Sequence, residues 1–149
     1  YGFDACVDYK AGRLVQDLKA VTPDGVDLLF ENVGGPILDA VLARMNAFGR
    51  VALCGLISGY NGEEIALKQV RSILVNRLLV QGFIVGDHPD IRPQALKELS
   101  ARVVDGTLRY QETIADGLEQ APAAFISLLG GGNVHCVTQQ VPLARDRRR

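Results

Sequence analysis

The sequence predicts an α/β fold built on a parallel sheet, and three features carry that expectation. Short apolar runs alternate with segments whose apolar residues recur at helical spacing, along residues 5–106. Glycine, proline and asparagine clusters punctuate the changes from one to the other. Of the 149 residues, 48% are hydrophobic, enough for one packed core. Neighbouring parallel strands need a long connection, and a right-handed crossover helix both supplies it and covers a sheet face.

Each element has its own signal. Residues 5–9 form a short apolar run that reads as strand, and Leu14, Val15, Leu18 and Val21 then recur as one helical face. Residues 22–25 are a turn cluster, and residues 26–30 read as a buried strand ending at Glu31-Asn32-Val33-Gly34-Gly35. Pro36 suits a first helical turn, where its missing N–H has no partner to lose, and Ile37, Leu38, Val41, Leu42 and Met45 give that helix its apolar stripe. Residues 46–49 are expected to turn the chain. Residues 51–53 read as strand, 54–62 as loop, and Leu67, Val70, Ile73 and Leu74 as a helical face. A strand over residues 78–85 follows, then a helix opened by Pro93, carrying Leu96, Leu99 and Val103 and closed near Gly106. Beyond Gly106 the pattern changes. Residues 108–114 look extended, 122–129 helical and 134–141 extended, with three glycines at 130–132, and this stretch is expected to belong to another layer.

Composition narrows the functional classes. Sixteen Lys and Arg against 17 Asp and Glu leave no field that would draw the chain to nucleic acid or to an acidic membrane. The terminal Arg145-Asp146-Arg147-Arg148-Arg149 reads as a solvated tail. Cys6, Cys54 and Cys136 are odd in number and far apart, which fits neither a disulfide framework nor a zinc motif and points to a reducing, cytoplasmic setting. His88 and His135 have no Cys or carboxylate at metal spacing, so no metal site is expected, and Glu63 with Glu64 reads as a solvated pair. No apolar run approaches the roughly 20 residues needed to span a bilayer. The chain opens on Tyr1 with no lead-in element and reads as a portion of something longer.

In an open α/β sheet, ligands bind beyond the carboxyl ends of the strands. Three loops qualify here: residues 32–36, 54–61 and 83–87. Gly34, Gly35, Gly55 and Gly59 permit close backbone approach or unusual angles. The plainer reading is that these glycines serve only tight strand-to-helix turns, and spacing alone leaves both open.

The combination of short words is more specific. Phe3-Asp4 with Asp8-Tyr9-Lys10, Phe30-Glu31-Asn32-Val33-Gly34-Gly35, Cys54-Gly55-Leu56-Ile57-Ser58-Gly59-Tyr60-Asn61, Gln81-Gly82-Phe83-Ile84-Val85 and Gly117-Leu118-Glu119-Gln120-Ala121-Pro122 occur in one order. In that order and spacing the chain, from Tyr1 to about Val141, resembles the prostaglandin reductase and alkenal double-bond reductase family. These are zinc-independent members of the medium-chain dehydrogenase/reductase superfamily, and the match is to their carboxy-terminal half.

The resemblance implies a partial Rossmann-type, doubly wound sheet over residues 1–106, a segment over 107–141 returning to a GroES-like substrate domain, and a disordered basic tail at 142–149. It implies NADP as cofactor. Tyr9, with Lys10, would lie by the 2′-phosphate and Asn32 near the ribose. Cys54, Gly55, Leu56, Ile57, Ser58, Gly59 and Tyr60 would line the nicotinamide half, backbone groups of Phe83, Ile84 and Val85 would hold the carboxamide, and Asn133 would return to the cofactor. Tyr60 is the candidate catalytic side chain, near the substrate carbonyl. Read without the family, Tyr9 is equally a strand-end aromatic, Asn32 a turn or cap residue, Cys54 a small hydrophobe and Tyr60 an exposed loop aromatic.

The activity implied is hydride transfer to the β-carbon of an α,β-unsaturated carbonyl, such as an enone, an alkenal or a prostaglandin-like substrate. Two alternatives stand beside it: a quinone oxidoreductase of the same superfamily, and a non-catalytic module that associates as a homodimer through the strand near residues 78–85. Two departures from the family bear on activity. No Gly-x-Gly-x-x-Gly occurs, so the chain is expected to lack much of the adenosine side and to be inactive as it stands. His135 and Cys136 follow Asn133-Val134 where the family continues with Gly and Lys.

Overall fold

A computed structural model describes residues 2–62, 64–129 and 136–140. Asn133, His135, Glu63, the glycines at 130–132 and the basic tail at 142–149 lie outside the described residues. The chain divides into two compact units, one spanning Gly2–Pro93 and the other beginning at Gln94. No helix among the described residues is long and apolar enough to cross a membrane.

The first unit holds α1 (Leu14–Val21), β1 (Val26–Glu31), α2 (Gly35–Leu42), β2 (Met45–Leu53), α3 (Val70–Val75) and β3 (Leu79–Gly82). Its three strands form one sheet in the order β1-β2-β3, parallel throughout. The α/β expectation is therefore met: α2 links β1 to β2, and α3 links β2 to β3. In register, Leu29 pairs with Val51 and Val51 with Val80, while Glu31 pairs with Leu53 and Leu53 with Gly82. All three strands thus end at one level, and the loops that follow share one edge of the sheet.

The core lies between one face of this sheet and α2. Leu38, Leu42, Met45 and Val51 are buried together, with Val26, Leu29, Val41, Ile73 and Leu78 partly buried against them. Leu42, at 1% exposure, is the most enclosed. On the other face Leu28, Phe30 and Leu79 remain exposed.

Local hydrogen bonds explain where elements start and stop. Residues 5–9 are not a strand: no described strand pairs with them, the Asp8 carboxylate accepts from the Lys10 N–H at 2.9 Å, and residues Tyr9–Ala11 form a 3-10 turn ending at left-handed Gly12. Residues 46–49 do not end a helix and await a later strand; they lie inside β2. Met45 pairs with Val26, yet Arg50 pairs with Leu28, so these four residues bulge out of the ladder. The Asn46 side chain pins the bulge by donating to the Asp27 carboxylate at 2.8 Å and to the Asp24 carbonyl at 3.0 Å. A Cβ at Gly49 would come within 2.7 Å of the Met45 terminal methyl and 3.1 Å of the Asn46 carbonyl, so the bulge packs closely around this glycine.

α3 begins at Val70, not Leu67, because the Asp39 carboxylate accepts the N–H groups of Lys68 and Gln69 at 2.9 and 3.0 Å and ties that stretch to α2. β3 stops at Gly82, shorter than the sequence suggests. The Phe83 N–H still donates to the Leu53 carbonyl at 2.9 Å before the chain folds into a 3-10 turn over Val85–Asp87.

In the second unit, β4 (Glu112–Asp116) and β5 (Cys136–Gln140) pair in parallel. α5 (Ala121–Leu129) lies between them in the chain, so the extended, helical and extended stretches expected after Gly106 are all present. α4 (Arg92–Val104), whose first turn straddles the division between units, is closed by a local clamp. The Asp105 carboxylate accepts from the Thr107 hydroxyl at 2.6 Å and from its N–H at 2.8 Å. These bonds, the hydroxyl first, hold the Asp105 carboxyl below its ordinary 3.8, with the Arg102 charge assisting.

Two outcomes follow. Leu42→Ala should lower stability to urea by about 3 kcal/mol, because it removes buried methyl groups and leaves a cavity, whereas Leu28→Ala on the exposed face should change it by less than about 1 kcal/mol. The Asp105 clamp, set by a folded-state value below the unfolded one, contributes fully above the ordinary carboxylate value and is lost as pH falls through the lower folded value. Thr107→Val should therefore move the NMR titration midpoint of Asp105 upward; an unchanged midpoint would contradict this account of α4's end.

Candidate functional site

The loops after β1, β2 and β3 are laced together by backbone bonds. The Glu31 carbonyl accepts from the Cys54 N–H at 2.8 Å and the Gly55 N–H at 3.1 Å. The Asn32 carbonyl accepts from Ile57 at 3.1 Å, and the Val33 carbonyl from Ser58 at 3.0 Å. The loop after β2 is thus zipped to the turn after β1, and a second 3-10 turn, Ile57–Gly59, leads into Tyr60.

Glu31 has a further part. At 2% exposure it is the buried charged residue of the core, and one carboxylate oxygen accepts both the Val33 N–H and, at 2.7 Å, the Gly34 N–H. α2 has no side-chain cap at Gly34, and the left-handed angles of Gly34 and Gly35 turn these N–H groups inward. Glu31 thus serves as the internal anion of the turn. Sequence reasoning quoted Glu31 only as part of a word. The signal was available: an acid closing an apolar strand, followed by a helix start that lacks any Ser, Thr, Asp or Asn cap.

Beyond the carboxyl ends of β2 and β3 lies an open cleft of about 560 Å³. Of the expected site residues, Cys54, Gly55, Leu56, Tyr60, Phe83 and Ile84 line it together, joined by Leu53, Gly82 and Asp87. Leu53, Leu56, Phe83 and Ile84 make its walls largely apolar, and Tyr60, 71% exposed, stands with Asp87 as its polar side-chain groups. Asp87 closes the third candidate loop, residues 83–87, but no role had been expected of its side chain. Its 3-10 turn is braced by His88, whose ring stacks on Phe83 with centroids 5.1 Å apart and planes 17° from parallel.

The remaining expected residues fall elsewhere. Asn32 borders the cleft through Gly55: a Cβ on Gly55 would stand 3.2 Å from both the Asn32 carbonyl and its side-chain oxygen. Ile57, Ser58 and Gly59 form the 3-10 turn behind the lining, and the buried Ser58 hydroxyl has no partner among the described residues. Val85 faces a smaller hollow of about 230 Å³ with Gly86, Pro89 and Arg92. Tyr9 is exposed on its 3-10 turn, under the Lys10 ammonium at 5.8 Å, and does not line the cleft. Asn133 lies outside the described residues. A second groove of about 580 Å³, between α2 and the stretch before α3, takes in Gly35 and Pro36 of the first candidate loop but none of the residues expected to meet cofactor or substrate. Among the described residues no group of three or more His, Cys, Asp or Glu is gathered as metal ligands would be.

Comparison with known proteins agrees with this architecture. The family described as zinc-binding dehydrogenase matches residues 1–101. A 2-alkenal reductase (NADP(+)-dependent) of Nicotiana tabacum is 40% identical over 136 residues, covering 90% of this chain and 40% of its own length. Prostaglandin reductase 1 of Sus scrofa is 41% identical over 138 residues, covering 90% of this chain and 42% of its own. The crystal structure of CurA in complex with NADPH, from Vibrio vulnificus, superposes with a TM-score of 0.87 at 35% identity, over 96% of this chain and 44% of that one. The chain therefore spans about two fifths of the length of such relatives. With its parallel β1-β2-β3 sheet and a family match across residues 1–101, the chain belongs to the zinc-binding dehydrogenase family, among the medium-chain reductases that include the alkenal and prostaglandin reductases.

Proposed function

We propose that this chain carries the nicotinamide side of an NADPH-dependent oxidoreductase site that reduces the C=C bond of α,β-unsaturated carbonyls, enones and alkenals above all. The observation that carries the reading is the cleft: six of the residues expected to meet the cofactor or the substrate line one hollow at the carboxyl ends of two parallel strands. Its relatives are named for NADP-dependent alkenal reduction and for a complex with NADPH.

The residues present fit a nicotinamide. A flat, weakly polar ring suits walls of Leu53, Leu56, Phe83 and Ile84, and a carboxamide suits the backbone that leaves β3 at Phe83–Val85. Gly82 has open space where a side chain would stand, and a Cβ at Gly55 would press at 3.2 Å on Asn32. When bound, the cofactor would supply a hydride to the β-carbon of the substrate. The chain's own residues would orient the two partners and meet the charge that develops. Tyr60, exposed at the cleft with its hydroxyl free to donate, is assigned to the carbonyl oxygen, where negative charge accumulates as the enolate forms. Tyr9 and Lys10 are assigned to the 2′-phosphate and Asn32 to the ribose; Asn133 is assigned to the cofactor by family likeness. Residues 1–106 are assigned to the cofactor domain and 107–141 to the substrate side.

Two further readings are tested with it. A quinone could accept the same hydride in the same cleft, and parallel assays with an alkenal and a quinone decide between them. β3 is an edge strand with all four residues exposed, which supports association of two copies along it, and sedimentation reads that directly.

The binding test is calorimetry with NADPH. Glu31→Ala should weaken NADPH by tenfold or more and lower stability by about 2 kcal/mol, since the buried Gly34 N–H and the half-buried Val33 N–H lose their acceptor. Glu31→Gln, whose amide oxygen can accept both, should keep most of each. The native chain, which has no Gly-x-Gly-x-x-Gly turn, should bind NADPH only weakly, and no binding even at millimolar NADPH would remove the reductase reading. In a chimera that joins this chain to the amino-terminal part of an active relative, Tyr60→Phe should slow alkenal reduction at least tenfold while leaving NADPH affinity within about twofold; equal rates would take Tyr60 out of the mechanism.

A further inference from the structure

We infer that Asp87 makes the cleft selective against a substrate carboxylate placed beside it, so that the proposed reductase acts on neutral enones and alkenals in preference to unsaturated carbonyls with a carboxylate close to the reacting carbon. The inference deepens the reductase reading and rests on it.

Asp87 is the acidic residue among the nine that line the cleft, and no Lys, Arg or His stands among them. Among the described residues no cation lies within ion-pair distance of it, so its charge is not neutralised locally. It is not free to swing away with its backbone. The Asp87 N–H donates to the Ile84 carbonyl at 3.0 Å, closing the 3-10 turn, and the next residue, His88, is stacked on the Phe83 ring. Two lining residues, Phe83 and Ile84, therefore anchor the turn that carries the charge.

The rest of the lining offers Tyr60, Cys54 and backbone, which can hydrogen-bond a carbonyl or an amide but supply no positive charge. A carboxylate entering about 7 Å from Asp87 meets like charge across apolar walls, with solvent screening part of it. The discrimination that results is about three- to tenfold. A neutral carbonyl or carboxamide pays no such penalty, and its N–H groups find an acceptor in Asp87. Within the range of substrates named above, neutral alkenals are thereby favoured over acids of prostaglandin type wherever the acid group is short enough to reach the cleft.

The test uses the full chain and an unreactive matched pair, 4-oxopentanoate and its methyl ester, which differ in charge and share a ketone. Dissociation constants are read from the amide NMR shifts of Gly55 and Phe83, in the native chain and in Asp87→Asn. The ester should bind about three- to tenfold tighter to the native chain, and the ratio should fall close to one in Asp87→Asn, where shape is kept and charge removed. Raising salt should narrow the native ratio. Equal binding of acid and ester, a ratio that survives in Asp87→Asn, or no shift of these amides with either probe would each overturn the assignment. NADPH titrated in parallel separates the two ideas. Shifts with NADPH but no discrimination sink the Asp87 role alone; discrimination without NADPH binding sinks the reductase reading and leaves Asp87 as a charge filter.

Discussion

The site depends on one buried carboxylate. Glu31 ends β1 inside the core, where an ionised group is costly unless its hydrogen-bonding capacity is met. Here it is met by the turn that follows: the side chain takes the N–H groups of Val33 and Gly34, and its own carbonyl takes those of Cys54 and Gly55. One residue thus fixes the entry to α2 and the exit from β2. The turn after β1 cannot shift without leaving buried donors unpaired, and the loop after β2 is zipped to that turn.

This arrangement also decides what the α2 N-terminus does not do. Inward-turned N–H groups at a glycine-rich helix start are a ready site for a phosphate. In this chain the Val33 and Gly34 N–H groups are already satisfied from within. The open hydrogen-bonding surface lies further along the sheet, at the ends of β2 and β3, where the proposed reading places a flat, weakly polar group against largely apolar walls. The apolar walls and the exposed Tyr60 follow from that placement, as does an Asp87 that has no ion-pair partner among the described residues.

Much of the fold is legible in the sequence because it rests on periodicity. The strand at Val26–Glu31 and the α2 stripe of Leu38 and Leu42 sit where the apolar run and the helical spacing place them, although the strand expected to be buried leaves Leu28 and Phe30 exposed. What escaped was set by single hydrogen bonds. Asn46 holds a bulge to Asp24 and Asp27, which turned an expected loop into the start of β2. Asp39 draws in Lys68 and Gln69 and delays α3 by a turn. Residues 5–9 have strand composition but no strand beside them, and a strand exists only as one of a pair. The site was legible through its words more than its chemistry. Cys54, Gly55, Leu56, Tyr60, Phe83 and Ile84 converge, whereas Glu31 and Asp87, whose importance lies in burial and in an absent counter-charge, leave little trace in a one-dimensional pattern.

The central claim is that the carboxyl ends of β2 and β3 form the nicotinamide-binding surface. The most direct measurement is an amide NMR map of the chain during titration with NADPH. The account predicts shifts concentrated at residues 54–60 and 83–87 and at Asn32, with the groove beside α2, at Ala40, Arg44 and Lys68, left unmoved. Shifts centred on that groove, or none anywhere, would contradict it.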